Sequence, residues 1–115
     1  MEMIIQEIMQ KIISSFEKEL ENLIKEKRDI SEFILATKKT LDDVGATLVA
    51  KALETIDQVY KNSKDRKRYW TVKEKAAKKT LTTIFGEVRY ERTYYKNKKT
   101  GEYSYLSDEA VGISA

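Results

Sequence analysis

The apolar residues of this chain change their spacing near residue 69, and that change constrains the fold more than any other feature. Before it, they recur every three or four residues, as in an amphipathic helix. After it, they alternate with polar residues, as in a half-buried strand. The pattern therefore predicts an α+β fold, in which two long N-terminal amphipathic helices are followed by a small antiparallel sheet of three or four strands.

The helical part divides into two predicted helices. Apolar residues recur through residues 2–28, and a second series extends from residue 30 to about residue 62. Asp29 and Glu32 resemble a capping box with aspartate in the serine position, which predicts that the second helix begins there. Gly45 interrupts that helix and either costs helicity or allows a close helix crossing.

The apolar face of these helices has two interpretations. Its spacing does not form a regular heptad over three or four repeats, so a strict coiled coil is weakly supported. An antiparallel helix pair within the chain is the simpler expectation. Two amphipathic helices and a thin sheet bury little surface alone, so a homodimer through the N-terminal helices is the alternative.

The first half of the sheet is predicted from residues 70–86. Trp70 can begin a strand, whereas residues 73–79 favour a helix by propensity but can also form a turn between strands. Gly86 marks a tight turn. Because Phe85 is a poor residue for positive φ, we expect a type I turn with the glycine in the bulge position.

The second half of the sheet is rich in tyrosine. The alternation predicts that Tyr90 and Tyr94 lie in the core and that Tyr95 is exposed. A second turn is expected at residues 98–101, followed by a third strand at residues 103–105. The tyrosines could form a platform on which bases stack, or could bury their rings and leave their hydroxyls in water.

Charge is distributed unevenly along the chain. Residues 1–60 carry 8 basic and 12 acidic side chains, a net charge of −4, whereas residues 61–115 carry 14 and 7, a net charge of +7. A polyanion is the expected partner of the basic half. We predict a helical hairpin, with a role in oligomerisation, over residues 1–62 and a basic β-hairpin region over residues 63–115.

The basic side chains of the second half are interleaved with aromatic and β-branched residues, a composition that suits duplex DNA. The residues predicted to contact phosphates are Arg66, Lys67 and Arg68 at a helix end, and Arg89, Arg92, Lys96, Lys98 and Lys99 across the hairpins. The alternative for the first three is a solvated helix terminus, where cations complement the helix dipole. Trp70 could stack on a base, although a core anchor is the favoured interpretation.

Composition argues against catalysis. The chain has no cysteine and no histidine, which removes disulfides, thiolate metal sites and the commonest general base. The pairs Asp42-Asp43 and Asp108-Glu109 are explained by capping and solvation. We expect no catalytic residue, no metal, no cofactor and no small-molecule substrate. No apolar run reaches about 18 residues, so we expect no membrane span and a cytoplasmic location.

A resemblance to a known family adds to this interpretation. The second half is similar to the N-terminal region of ISLre-type insertion-sequence transposases, and short reading frames of that kind have been grouped as an uncharacterised protein family. The blocks that carry the resemblance are Arg68–Val72, Lys79–Thr83, Phe85–Val88, Tyr90, Arg92–Tyr95, Thr100–Tyr103 and Asp108–Ile113.

The resemblance implies that this chain is a truncated N-terminal part of a longer transposase-like protein. The acidic metal-binding triad of that family is expected far downstream, so no catalytic residue is carried over to this sequence. The expected function is non-catalytic DNA binding in transposition. The alternatives are a structural or oligomerisation module and an inert remnant of a mobile element.

Overall fold

The computed structural model describes residues 2–114 and confirms the α+β class. Three antiparallel strands form one sheet with β2 at its centre. In chain order, the elements are α1 (Glu2–Lys25), α2 (Ile30–Lys61), α3 (Lys64–Tyr69), β1 (Trp70–Thr83), β2 (Gly86–Asn97), β3 (Tyr103–Ser104) and α4 (Leu106–Ala110). No helix in residues 2–114 combines the length and the apolar content that crossing a bilayer requires.

Two compact units are present. The first contains the residues up to Ala46 together with Ile84–Gly86, and the second contains Thr47–Thr83 together with the residues from Glu87 onward. The chain therefore passes from one unit to the other within α2. The boundary that the sequence predicts at residue 62 coincides with the end of this helix, and remains a prediction as a domain boundary.

In the first unit, α1 and the first half of α2 form an antiparallel pair. The hydroxyls of Ser15 and Thr40 are hydrogen-bonded at 2.6 Å. The rings of Phe16 and Phe33 meet edge to face, with their centroids 6.2 Å apart. Asp29 caps α2 as predicted, because its Oδ1 accepts a hydrogen bond from the backbone N–H of Ser31 at 3.3 Å.

Gly45 in α2 lies against an aromatic ring that leaves no room for a Cβ atom. A Cβ at this position would lie 2.5–2.8 Å from three carbon atoms of the Phe85 ring, at the tip of the β1–β2 hairpin. Any larger residue would displace that ring. The glycine thus permits a close approach, as the sequence suggested, but the group that approaches is a hairpin side chain.

The hairpin turn has the geometry expected of it. Gly86 has a φ of +95°, whereas neither Ile84 nor Phe85 has positive φ. This combination fits a type I turn followed by a bulge glycine and excludes a type I′ turn.

Residues 73–79, which the sequence left open between helix and turn, belong to β1. This strand is 14 residues long. Ala76 has a φ of +54°, so the strand is irregular in its middle. Positive φ at one residue is typical of a β-bulge, which interrupts the strand without ending it. Propensity could not reveal this, because alanine and lysine favour helices.

The second half contains one helix that the sequence did not predict, and two further predictions need correction. Residues Lys64–Tyr69 form the short helix α3, whose N-cap is the Ser63 hydroxyl, which accepts the Arg66 N–H at 3.2 Å. The third strand contains only Tyr103 and Ser104, because the chain turns into α4 at Leu106. Tyr95 is fully buried, whereas the sequence predicted that it is exposed.

Tyr95 is buried because the second half of β2 is covered on both faces. From Val88 to Arg92 burial alternates, as the sequence predicts, but Arg92, Thr93 and Tyr95 are all buried. The Arg66 guanidinium lies 5.7 Å from the centre of the Tyr95 ring. Tyr90 is in the core as predicted, whereas Tyr94 is only half-buried.

The edge of β2 is closed by carboxylates of α2. The N–H groups of Glu91, Thr93 and Asn97 point to the same edge, because alternate residues of a strand do so. At Asn97 this edge meets the β2–β3 turn, and β3 itself pairs with only two residues of β2. The N–H groups of Glu91 and Thr93 instead donate to Glu54 Oε2 at 3.1 Å and to Asp57 Oδ1 at 2.9 Å. Side chains of a helix thus accept the backbone N–H groups that a neighbouring strand would otherwise bond.

Candidate nucleic-acid interface

Five of the predicted phosphate contacts lie close together in the second unit. Hydrogen bonds join α3 to the β2–β3 turn: Lys98 donates through its backbone N–H to the Tyr69 carbonyl at 2.9 Å and through Nζ to the Lys67 carbonyl at 2.7 Å. These bonds bring two basic segments side by side. We call the five residues the junction cluster: Lys67, Arg68, Lys96, Lys98 and Lys99.

The junction cluster has the electrostatic character that a phosphate contact needs. All five side chains are exposed. None has an ion-pair partner within residues 2–114. Segments 64–69 and 96–103 together hold seven basic and two acidic residues, so the local net charge is +5. Solvent-exposed cations that are not neutralised by ion pairs attract a polyanion most effectively.

Arg66 has a different role from its neighbours. Its Nε and Nη2 donate to the Lys61 carbonyl at 2.8 and 2.6 Å. That carbonyl is at the end of α2, where no helical N–H can reach it. The side chain therefore caps α2 and covers Tyr95.

Arg92 is buried, so a phosphate contact from this residue is incompatible with the structure. Its Nε donates to Asp108 Oδ2 at 2.9 Å, and Nη1 donates to the carbonyls of Ala77 and Lys78 at 2.9 and 2.8 Å. The Asp108 carboxylate is also buried and accepts the Tyr90 hydroxyl at 2.7 Å. Asp108 is thus a core residue, and the solvation predicted for it is wrong.

The burial of Tyr90 and Tyr95 changes their acidity. Burial is the main reason that the pKa of Tyr90 is raised above its ordinary value, and the hydrogen bond to Asp108 raises it further. Burial also raises the pKa of Tyr95. Both phenols therefore hold their protons in the folded chain at a pH where an exposed tyrosine would lose its own.

Cations and aromatic rings alternate along one face of the sheet. The Tyr94 ring contacts two others: it stacks on Tyr103 at a centroid distance of 5.3 Å and meets Tyr105 in a tilted arrangement at 4.4 Å. Arg92 lies 3.9 Å from the Tyr105 ring centre, and Lys96 lies 5.7 Å from that of Tyr103. The alternation of basic and aromatic residues in the sequence thus serves internal cation–π contacts as well as any external ligand.

Arg89 lies apart from the junction cluster. It lies in β2, nine residues before Lys98, which directly follows the strand, and nine residues of strand correspond to about 30 Å. Its Nη2 lies 2.9 Å from the Glu87 carboxylate, and both side chains are largely exposed. The exposed residues predicted to contact phosphates are therefore divided between the junction cluster and Arg89.

An apolar groove borders the junction cluster. Its volume is 310 Å³. The apolar lining consists of Val59, Tyr60, Tyr69, Trp70 and Leu106, and Ser63, Asp65 and Arg66 supply the polar atoms. Trp70 is half-buried, so it is neither a fully enclosed core anchor nor a freely exposed ring.

Two parts of this site left little signal in the sequence. The groove combines residues from α2, α3, β1 and α4, and its assembly depends on a short, highly charged helix that the sequence did not predict. The role of Asp108 was hidden because its partners, Tyr90 and Arg92, precede it by 18 and 16 residues. Only the alternation of Tyr90 and Arg92 on one strand face pointed to a shared environment. In residues 2–114, no three carboxylates are grouped to hold a metal ion.

Comparison with known proteins identifies relatives that are much longer than this chain. A UPF0236 protein of Caldanaerobacter subterraneus subsp. tengcongensis, whose name joins eleven designations from TTE0033 to TTE2212, is 40% identical over 93 residues, or 81% of this chain and 20% of that protein. UPF0236 protein TTE2489 of the same organism is 39% identical over 92 residues, or 80% of this chain and 20% of its own length. The chain thus spans about a fifth of the curated relatives it matches.

No solved structure matches the chain. The sequence pattern that defines the uncharacterised protein family UPF0236 matches residues 23–115, which include the last three residues of α1 and everything after it. This match and the identity to a UPF0236 relative each cover 93 residues of the chain. The chain therefore belongs to the uncharacterised protein family UPF0236.

Proposed function

We propose that this chain is a non-catalytic, DNA-binding part of a transposase-like protein, and that the junction cluster contacts the phosphates of duplex DNA. The observation that carries the proposal is the convergence of five exposed cations, free of carboxylate partners, on α3 and the β2–β3 turn. Phosphate contacts provide affinity and orientation without reading a sequence. The proposal omits Arg66 and Arg92, whose guanidinium groups are occupied inside the protein, and Arg89, which lies far away.

The names of the relatives support the proposal that proteins of this family are encoded by a mobile element. One UPF0236 protein of Caldanaerobacter subterraneus carries eleven designations, and another carries four. A protein with many designations in one organism is expected when its gene occurs in many copies, as the genes of transposing elements do. In this proposal, DNA cleavage and joining belong to the part of those longer proteins that the chain does not match.

Duplex binding can be tested by charge reversal. A fluorescently labelled DNA duplex should bind the full chain at low salt, as measured by anisotropy. Replacing Lys67, Lys98 and Lys99 by glutamate should weaken binding at least about 100-fold, because three attractive contacts become repulsive.

A matched control separates a local contact from an effect of net charge. Replacing Lys11, Lys18 and Lys39 by glutamate changes the net charge equally, but these exposed lysines are in α1 and the first half of α2. This control should retain most of the wild-type affinity. Equal losses in both triple variants, or no binding by the wild-type chain at low salt, would contradict the proposal.

Self-association is a second candidate function, and the exposed apolar surface of the first unit favours it. Ten large apolar side chains of α1 and the first half of α2 are at least 46% exposed, among them Met3, Ile24 and Leu35 at 75%, 69% and 67%. An apolar surface of this extent is typical of a protein interface. Sedimentation velocity should show a dimer that Ile24→Glu and Leu35→Glu dissociate, whereas a monomer at every concentration would rule this function out.

A further inference from the structure

We propose that the apolar groove beside the junction cluster binds an unpaired nucleobase at the end of a DNA duplex. This inference rests on the proposed function and specifies its ligand more closely. The cluster would hold the phosphates of the duplex, while one base outside the double helix would enter the groove between α2, α3 and the start of β1.

The lining of the groove suits a nucleobase. Tyr60, Tyr69 and Trp70 provide three aromatic side chains within one cleft. Aromatic side chains are the usual stacking surface for unpaired bases, because every base has a flat face. The groove volume of 310 Å³ is at the lower end of the range for small-molecule sites, about 300–1,000 Å³.

The charges around the groove match those of a nucleotide. The Arg68 guanidinium lies 5.4 Å from the centre of the Tyr69 ring, and Lys98 is bonded to the Tyr69 carbonyl. The Arg68 cation thus lies beside the Tyr69 ring that lines the groove, and Lys98 is held next to the same residue through its backbone N–H. This complementarity favours a nucleotide over an apolar peptide, which would gain nothing from them.

One acidic residue contributes to the recognition of the base. Asp65 lines the same groove and is exposed. A carboxylate repels phosphate but accepts hydrogen bonds from the N–H groups of a base edge. Asp65 therefore favours an orientation in which the base points into the groove and the phosphate points toward Arg68 and Lys98.

The experiment compares three duplexes that differ only at one end. The first has a short single-stranded overhang, the second has an overhang of the same length without bases, and the third is blunt. The overhang lacking bases has the same number of phosphates as the complete one, so any difference between them reports the bases. Because the chain contains a single tryptophan, selectively excited tryptophan fluorescence reports Trp70 alone.

The full chain should bind the complete overhang at least about fivefold more tightly than the overhang without bases, since stacking of one base is worth at least about that factor. Trp70 emission should be quenched by the complete overhang only. Tyr60→Ala removes one wall of the groove and should abolish the preference while the affinity for the blunt duplex stays unchanged. Tyr103→Ala, which removes a similarly exposed ring outside the groove, should preserve the preference.

Different failures have different meanings. Equal affinity for all three duplexes, with unchanged Trp70 emission, would overturn the groove as a base site and leave the DNA-binding function intact. Absence of binding to any duplex would overturn the DNA-binding function and the groove proposal with it. Trp70 emission that changes with protein concentration in the absence of DNA would show that a second copy of the chain occupies the groove.

Discussion

At the scale of single residues, the core of the second unit contains polar side chains that are buried together with their hydrogen-bond partners. Arg92, Asp108 and Tyr90 form one hydrogen-bonded group, and Asp57 accepts bonds from Thr93 and Ser107. The buried side chains of this unit include six polar residues and four apolar ones. A buried charge is tolerated only when its partners remain in place, so this core should be sensitive to the loss of any one of them.

Asp108→Ala provides the sharpest test of that group. It leaves the Arg92 guanidinium buried beside no carboxylate, and we expect the free energy of unfolding to fall by about 3 kcal/mol or more. The adjacent Glu109 is exposed, so Glu109→Ala should change that free energy by no more than about 0.5 kcal/mol. Urea denaturation measures both, and similar losses in the two variants would show that the Arg92–Asp108 pair does not stabilise the fold.

The buried tyrosines predict a loss of stability at alkaline pH. The pKa values of Tyr90 and Tyr95 are raised in the folded chain, so above pH 10 the unfolded chain binds fewer protons than the folded one. The free energy of unfolding of the protein must then decrease as pH rises, by up to about 1.4 kcal/mol per pH unit for each tyrosine. Tyr90→Phe should reduce the slope of a urea-denaturation series between pH 9 and 11, and an unchanged slope would contradict the assignment.

At the scale of elements, β1 carries an irregularity that the strand tolerates without ending. Ala76 is exposed and has positive φ, a conformation that costs an L-residue other than glycine roughly 1–2 kcal/mol. Its neighbour Ala77 is buried, and its carbonyl accepts a bond from Arg92. The irregularity therefore brings a carbonyl of β1 to the arginine of the buried group.

Glycine substitutions at Ala76 and Ala77, in the middle of β1, should change the free energy of unfolding in opposite directions. Ala76→Gly relieves the unfavourable φ and should raise the unfolding free energy by about 0.5–1 kcal/mol. Ala77→Gly removes a buried methyl group from regular strand and should lower it by about 1 kcal/mol or more. Thermal denaturation compares the two, and destabilisation by both would show that Ala76 is not strained.

The elements also show how far the sequence could predict the fold. Periodicity is a local signal, so α1, α2, the Gly86 turn and the core position of Tyr90 were predictable. The burial of Tyr95 was not, because its cover comes from Arg66, 29 residues earlier in the chain. Likewise, α3 was not predicted, since six residues are too few for an apolar period to appear. The basic residues of the candidate site could be identified from the sequence. Which of them are engaged inside the protein could not, because their partners are distant in the chain.

At the scale of the whole molecule, the two units carry different properties. The first presents apolar helix surface, and the second presents the junction cluster and the groove. The charge asymmetry of the sequence follows the same division, with the positive half of the chain in the second unit. Under the two functions proposed above, the first unit would serve self-association and the second unit would contact DNA.

The salt dependence of duplex binding tests the central claim most directly. If the five residues of the junction cluster each neutralise one phosphate, the logarithm of the binding constant should fall with the logarithm of salt concentration with a slope of about −4.5. Alanine at Lys67, Lys98 and Lys99 should bring the slope to about −2, because each lost contact removes close to one unit. A slope that is the same in the variant and the wild-type chain would contradict the assignment of the junction cluster as the phosphate-binding surface.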